Sequence, residues 1–267
     1  MDLVSDYDIL FIQEHHLFKF EADSGILDDL FHGYRTDNKC FDETMDLEIS
    51  QRPTHGYHGV ATVWKEELDP YIRASKEGNE RILVTLYEPP GERPFCFING
   101  YLPSGNSPDA LRGFLEACDI IHEIINKYTN HEIVLTGDLN EDHYHRNTYK
   151  EILIKRIIEE YEMLDLGTTT ADTCTYINEH LGHKSRLDHI LVKTIHPENW
   201  SEATVMERSD TRLSLNTSKH VPIHGTLKIG RKECTSMPKT TPTATQITTK
   251  RYKMKEWDRG CYKNTIS

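Results

Sequence analysis

No stretch of this chain comes near the roughly 20 consecutive apolar residues that a membrane-crossing helix requires. The N-terminus, "MDLVSDYDILFIQEHH", is acidic and runs straight into a strand pattern, so a secretory signal is not expected either. Paired cysteines are missing. Cys40, Cys96, Cys118, Cys174, Cys234 and Cys261 are scattered without C-x-x-C spacing, which reads as free thiols and not as a disulfide frame or a zinc site. The histidine pairs His55/His58, His143/His145 and His180/His183 have no cysteine at ligand spacing and no helical H-E-x-x-H frame, so structural zinc is not expected. Positive charge is also short, with 31 Lys+Arg against 43 Asp+Glu and a formal charge of −12. That balance argues against nucleic-acid binding by bulk electrostatics and leaves open a local site that meets phosphates through a bound cation. An intracellular monomer without membrane contact is expected.

What is present is a body and a tail. Residues 1–229 alternate strand-like runs, turns and a few helices, whereas 230–267 are rich in Thr, Pro and Lys and nearly free of large apolar residues. The latter segment reads as a flexible basic tail. In the body, "YDILFIQE" (7–14), "HGVATVWK" (58–65), "EIVLTGD" (132–138), "RLDHILV" (186–192) and "HVPIHGTLKI" (220–229) read as strands. "RILVTLY" (81–87) and "FCFINGYL" (95–102) read as a hairpin around a Pro-Pro-Gly turn. Helices are predicted over 107–130, with Ser107 as N-cap and Pro108 at the first position, and over 148–163. So many strands with two long helices favour sheet packed on sheet with helices outside.

Polar groups collect where these strands end: Gln13 and Glu14, Asn99 and Tyr101, Asp138 and Asn140, Asp188, and His220. Glu14 is a hard oxygen ligand suited to Mg²⁺ or Mn²⁺. An Asp188–His220 pair would fix the imidazole tautomer and support an imidazolium. Asp138 would orient or deprotonate water, and Asn140 and Tyr101 would donate to phosphoryl oxygens. Each residue alone has an ordinary structural role, Asp138 and Asn140 as turn formers above all. Their joint appearance is what points to phosphodiester hydrolysis. His143 and His145 directly follow the G-D-L-N loop and are expected to line the cleft.

The ordered motifs "DILFIQEHH", "INGYLPSG", "VLTGDLN", "SRLDHILV" and "SKHVPI" resemble those of the endonuclease/exonuclease/phosphatase superfamily. They are most similar to the apurinic-type endonuclease domains of non-LTR retrotransposons. The resemblance implies an α/β fold, a four-layer α/β/β/α sandwich of DNase I type, and a divalent-metal phosphoesterase whose substrate is DNA. It implies that Glu14 holds the metal, Asp138 activates water, Asn140 and Tyr101 bind phosphate, and Asp188 orients His220. Gly137 would let the chain turn so that Asp138 and Asn140 face the cleft.

Two departures oppose catalysis. The family's first strand, with an Asn beside the metal ligand, is absent ahead of Glu14, which would leave a sheet edge exposed. Lys219 stands where the family reads a carboxylate, and an ammonium in the cleft would repel a cation. A catalytically impaired relic or non-catalytic binding module with the same fold is therefore the alternative.

Overall fold

In the computed structural model the described residues are 5–43, 56–142, 148–167, 174–206, 218–229 and, as backbone, 244–251. Apolar side chains alternate in facing along the strands, and this sorts the chain into layers. In β5 (Ile82–Tyr87), Ile82, Val84 and Leu86 join a core beneath the long helices, while Tyr87 joins a second core between the sheets. The expected hairpin forms, with β5 antiparallel to β6 (Phe95–Tyr101) in the register Ile82↔Gly100 to Tyr87↔Phe95.

Both long helices begin where local chemistry satisfies their first amides. The helix Pro108–Lys127 starts after Ser107, whose Oγ accepts from Ala110 N at 3.1 Å. The helix Tyr149–Glu160 starts after Thr148, which exchanges side chain to backbone bonds with Glu151 in a capping box. They lie on one outer face, packed through Phe114, Cys118, Ile121, Ile154 and Ile157. Two short helices, α1 (Lys19–Asp23) and α2 (Ile26–Leu30), cover the other outer face through Ala22 and Leu27; the long helices are α3 and α4.

Between these layers lie two six-stranded sheets. The first contains β1 (Ile9–Gln13), β2 (Tyr34–Lys39), β3 (Val60–Lys65), β12 (Thr204–Val205), β13 (Ile223–Lys228) and β14 (Ala244–Arg251), in the order β12-β13-β14-β1-β3-β2. The second contains β4 (Ile72–Asn79), β5, β6, β7 (Glu132–Asp138), β8 (Leu164–Asp165) and β11 (Asp188–Lys193), in the order β4-β5-β6-β7-β11-β8. Phe11, Phe97, Val134, Ile190, Trp200 and Ile223 pack between the sheets. A hairpin of β9 (Tyr176–Asn178) and β10 (His183–Ser185) stands apart. The architecture is the expected α/β/β/α sandwich.

The tail expectation needs one correction. Residues 230–243 and 252–267 lie outside the described residues, but 244–251 form β14 at the centre of the first sheet. It runs parallel to β1 (Ile9↔Ile247 to Gln13↔Arg251) and antiparallel to β13 (Ile223↔Thr249 to Lys228↔Ala244). The edge expected to be bare beside β1 is therefore paired. The reason is backbone hydrogen bonding: β1 is buried along its whole length, and unpaired amides and carbonyls there would have no water to bond.

Truncation after residue 243 removes that partner. The shortened chain is expected to lose stability on the order of several kcal/mol, read as a collapse of the urea midpoint relative to the 1–267 protein.

Candidate active site

Register brings three of the anticipated residues into one row. In the second sheet Tyr101 pairs with Asp138 across the parallel β6–β7 ladder, and Asp138 pairs with Asp188 across the antiparallel β7–β11 ladder. Directly paired residues point to the same face, here the face toward the first sheet. All three side chains are buried. His220 closes on the row from the segment before β13. Its Nδ1 donates to Asp188 Oδ2 at 2.8 Å, and its Nε2 lies 3.9 Å from Asp138 Oδ2. The ring of Tyr176 sits edge-on to the imidazole at 4.9 Å.

Gly137 has a different task from the one expected. It lies within β7, at φ +125°, and a Cβ there would stand 2.1 Å from Gly100 O. The parallel pairing of Gly100 with Gly137, and hence of Tyr101 with Asp138, depends on β7 lacking a Cβ at Gly137. The turn comes after it. Asp138 Oδ1 accepts from Asn140 N at 2.9 Å, and Asn140, at φ 52°, donates from Nδ2 to Leu102 O at 2.7 Å. Asp138 and Asn140 thus form an Asx-type turn and also meet at the cleft.

Glu14 enters from the other sheet, just past β1. Tyr101 Oη donates to Glu14 Oε1, and His16 Nε2 lies 3.9 Å from Glu14 Oε2. This contact ties Glu14 to the row. Beneath it, Asn99 spans the sheets: its Nδ2 donates to Ile12 O at 3.2 Å and Ala61 O at 2.9 Å, and its Oδ1 accepts from Gln13 Nε2 at 2.6 Å. Glu14, His16, His58 and Asn140 all have φ between 52° and 57°. Non-glycine residues seldom adopt this conformation, and it gathers here at one end of the sandwich.

Other residues that the sequence reading did not single out hold these groups in place. Thr175 Oγ1 accepts from the amides of Leu187 and Asp188, both at 3.0 Å. Behind Asp188, buried Arg186 donates from Nη2 to Asp165 Oδ1 at 2.6 Å, and Gly167 leaves the guanidinium its space. Lys150, buried at the start of α4, donates to Pro103 O at 2.7 Å and Gly105 O at 2.6 Å, fixing the loop that Asn140 also holds. Burial pushes its ammonium pKa down. Arg81 sits 5.4 Å from the Tyr101 ring centre and 2.8 Å from His58 Nε2. Burial, then the Arg81 charge, holds the His58 pKa down at about 4, so His58 is neutral at pH 7. Arg186 lies inside the motif that carries Asp188, but Thr175, Lys150 and Arg81 stand at no motif position, so spacing alone could not flag them.

The structure thus brings together Glu14, Tyr101, Asp138, Asn140, Asp188 and His220. Asp138, Asp188 and His220 also offer ligand atoms within 4.8 Å of one another. Lys219 is exposed, flanked by buried Ser218 and His220, and its carbonyl accepts from Ile177 N at 3.0 Å. His143 and His145 lie outside the described residues, as does His55, and His180 and His183 are exposed on the β9–β10 hairpin. No helix among the described residues is long and apolar enough to cross a membrane.

The profile of the Endonuclease/Exonuclease/phosphatase family matches residues 1–210. No curated protein matches. Among solved structures, the chain is similar to the AP endonuclease LMAP of Leishmania major, at 18% identity and a TM-score of 0.61, covering 81% of this chain and 77% of that one. The 3' phosphatase NExo of Neisseria, bound to a product DNA hairpin, is similar at 16% identity and a TM-score of 0.59, covering 83% and 90%. The endonuclease domain of TRAS1, a telomere-specific non-LTR retrotransposon, is similar at 13% identity and a TM-score of 0.52, covering 82% and 95%. At these identities the likenesses speak for the fold.

Asn99→Leu removes the bridge between the sheets and strands Gln13 Nε2 in the interior; a loss of about 2–3 kcal/mol is expected in urea unfolding. His15, next to Glu14, gives a pH test. Burial lowers its pKa from 6.5 to about 4, so its contribution is complete above pH 6.5 and is lost as pH falls toward 4. His15→Gln should flatten the fall in urea midpoint across that window.

Proposed function

The chain belongs to the endonuclease/exonuclease/phosphatase family, and from that membership we propose that it is a divalent-metal-dependent phosphodiesterase that nicks DNA, of the non-LTR retrotransposon type. The observation that carries this reading is the row Tyr101–Asp138–Asp188, with His220 hydrogen-bonded at one end and Glu14 at the other. A phosphodiester needs an activated water, a stabilised pentavalent arrangement and a protonated leaving oxygen. The row supplies a base, neutral donors and an imidazole within one cleft.

The donor set fits the implied cation. Asp138 and Asp188 stand at neighbouring strand ends and Glu14 faces them from the other sheet through Tyr101, all three buried, and hard oxygens of this kind suit Mg²⁺ or Mn²⁺. Glu14 would hold the ion, which when bound supplies charge neutralisation at the phosphoryl oxygens. Asp138 accepts a proton from water. Asp188 holds the proton on His220 Nδ1, presents Nε2 to the substrate and stabilises the imidazolium. Asn140, whose carboxamide has two N–H donors, gives one to Leu102 O and offers the other to a phosphoryl oxygen. Tyr101 orients Glu14 through its hydroxyl, whose single proton would be available to a phosphoryl oxygen once Glu14 holds the ion.

The alternative of an impaired relic draws its force from Lys219 and the absent first strand. The presence of β14 beside β1 weighs against it, and Lys219→Asp tests the lysine. Relaxation of supercoiled plasmid by the 1–267 protein decides between the two. Nicking is expected with Mg²⁺ and none with chelator. His220→Ala and Asp138→Asn are each expected to lower the rate at least about 100-fold, and Lys219→Asp to change it by no more than a few-fold. A folded wild type without nicking, whose activity appears in Lys219→Asp, would overturn the reading of that lysine. No nicking by any folded variant would leave the binding module.

A further inference from the structure

The catalytic tyrosine is the inner end of a row of aromatic rings. Phe20 and Phe18 lie 5.7 Å apart between centroids, Phe18 and Phe41 5.4 Å, and Phe41 and Tyr57 5.6 Å. From Tyr57 the row passes to His58 at 6.4 Å and from His58 to Tyr101 at 5.7 Å. It therefore leads from α1 on the surface to the residue that holds Glu14. Burial accounts for Phe18, at 7% exposure, but not for the rings on either side of it. Phe20 and Tyr57 are 51% and 53% exposed, and Phe18, Phe20, Phe41 and Tyr57 belong to none of the apolar cores among the described residues.

Charge along the row is graded. At the inner end the Arg81 guanidinium lies over Tyr101 and against His58. At the outer end the neighbours are carboxylates: Glu21 accepts from Phe18 N, Asp42 from Lys19 N, and Glu43 is paired with Lys19 at 3.0 Å. A phosphate is welcome near Arg81 and repelled near Phe20. The uncharged faces of nucleobases fit the outer rings, and every base has such a face.

We propose that this row is a stacking platform for unpaired DNA bases flanking the phosphate at Tyr101, an inference that rests on the nuclease reading above. The phosphate backbone turns in at Arg81, and the adjoining bases lie out along His58, Tyr57 and Phe20. A duplex keeps its bases stacked on one another and cannot use these rings. The platform therefore favours single-stranded, splayed or mismatched DNA beside the scissile bond.

Binding is measured without cleavage, by fluorescence anisotropy of labelled oligonucleotides in chelator at fixed salt. The probes are a single strand, the same strand paired, and an abasic strand with equal phosphates. The wild type is expected to prefer the single strand over both. Tyr57→Ala with Phe20→Ala should weaken that probe about tenfold or more, and Tyr57→Phe should retain it. Both altered residues are more than half exposed, so the fold is expected to persist, as a shared melting temperature would verify. Equal binding of the single and abasic strands, or no loss in the double variant, overturns the proposal. So does a concentration-dependent dimer in sedimentation that the double variant abolishes, since the face then belongs to a second copy. Plasmid nicking is scored separately. Stacking without nicking removes the nuclease reading alone, and nicking with unchanged single-strand binding removes the platform alone.

Discussion

The meeting of Glu14 with Tyr101 depends on a carboxamide two residues before that tyrosine, hydrogen-bonded to Gln13 just before the glutamate. Asn99 sits between the sheets with no solvent exposure, donating to carbonyls of β1 and β3 and accepting from Gln13. Sheet-on-sheet packing through Phe11, Phe97 and Val134 is non-directional and fixes a separation, not a register. Three short hydrogen bonds with defined directions fix the register at the end that matters. One residue pair further out, Glu14 and Tyr101 meet. A site divided between two sheets needs such a clamp, because sliding by a single strand spacing would part the carboxylate from the hydroxyl.

The second sheet handles its share differently. There Tyr101, Asp138 and Asp188 are neighbours by ladder register alone, so backbone pairing sets their spacing. Gly137 permits that close pairing, and Thr175 captures the amides of Leu187 and Asp188 at the start of β11. Lys150 and Asn140 then hold the loop after β6 from two sides. The strained backbone at Glu14, His16, His58 and Asn140 is sustained by this over-determined surround.

The site residues were legible in the sequence because their chemistry and order are carried by short, contiguous motifs at strand ends. The layers were legible because β5, β6 and β7 alternate or run apolar, and because Ser107-Pro108 announces a helix. What was hidden has a common physical character. β2 reads "YRTDNK" and β4 "IRASKEGN", polar edge strands with little hydrophobic signal. The roles of Asn99, Arg81 and Lys150 arise from partners far away in sequence. Gly137 looked like a turn residue, when its requirement comes from the carbonyl of another strand. β14 was the extreme case: "ATQITTKR" lies in a Thr- and Lys-rich context that suggests a solvated tail, yet its backbone pairs with β1 on one side and β13 on the other.

The position of β14 also orders events in time. Ile9 is paired with Ile247, so the strand that precedes Glu14 and its central neighbour are separated by almost the whole chain. During synthesis at roughly 5–20 residues per second, β1 waits on the order of 10–50 s for its partner to be made. Until then the carboxylate of Glu14 hangs from an incomplete sheet. The cleft end of the first sheet therefore stays incomplete until residues 244–251 have been made. A ribosome that stalls before residue 244 would leave β1 without its parallel neighbour.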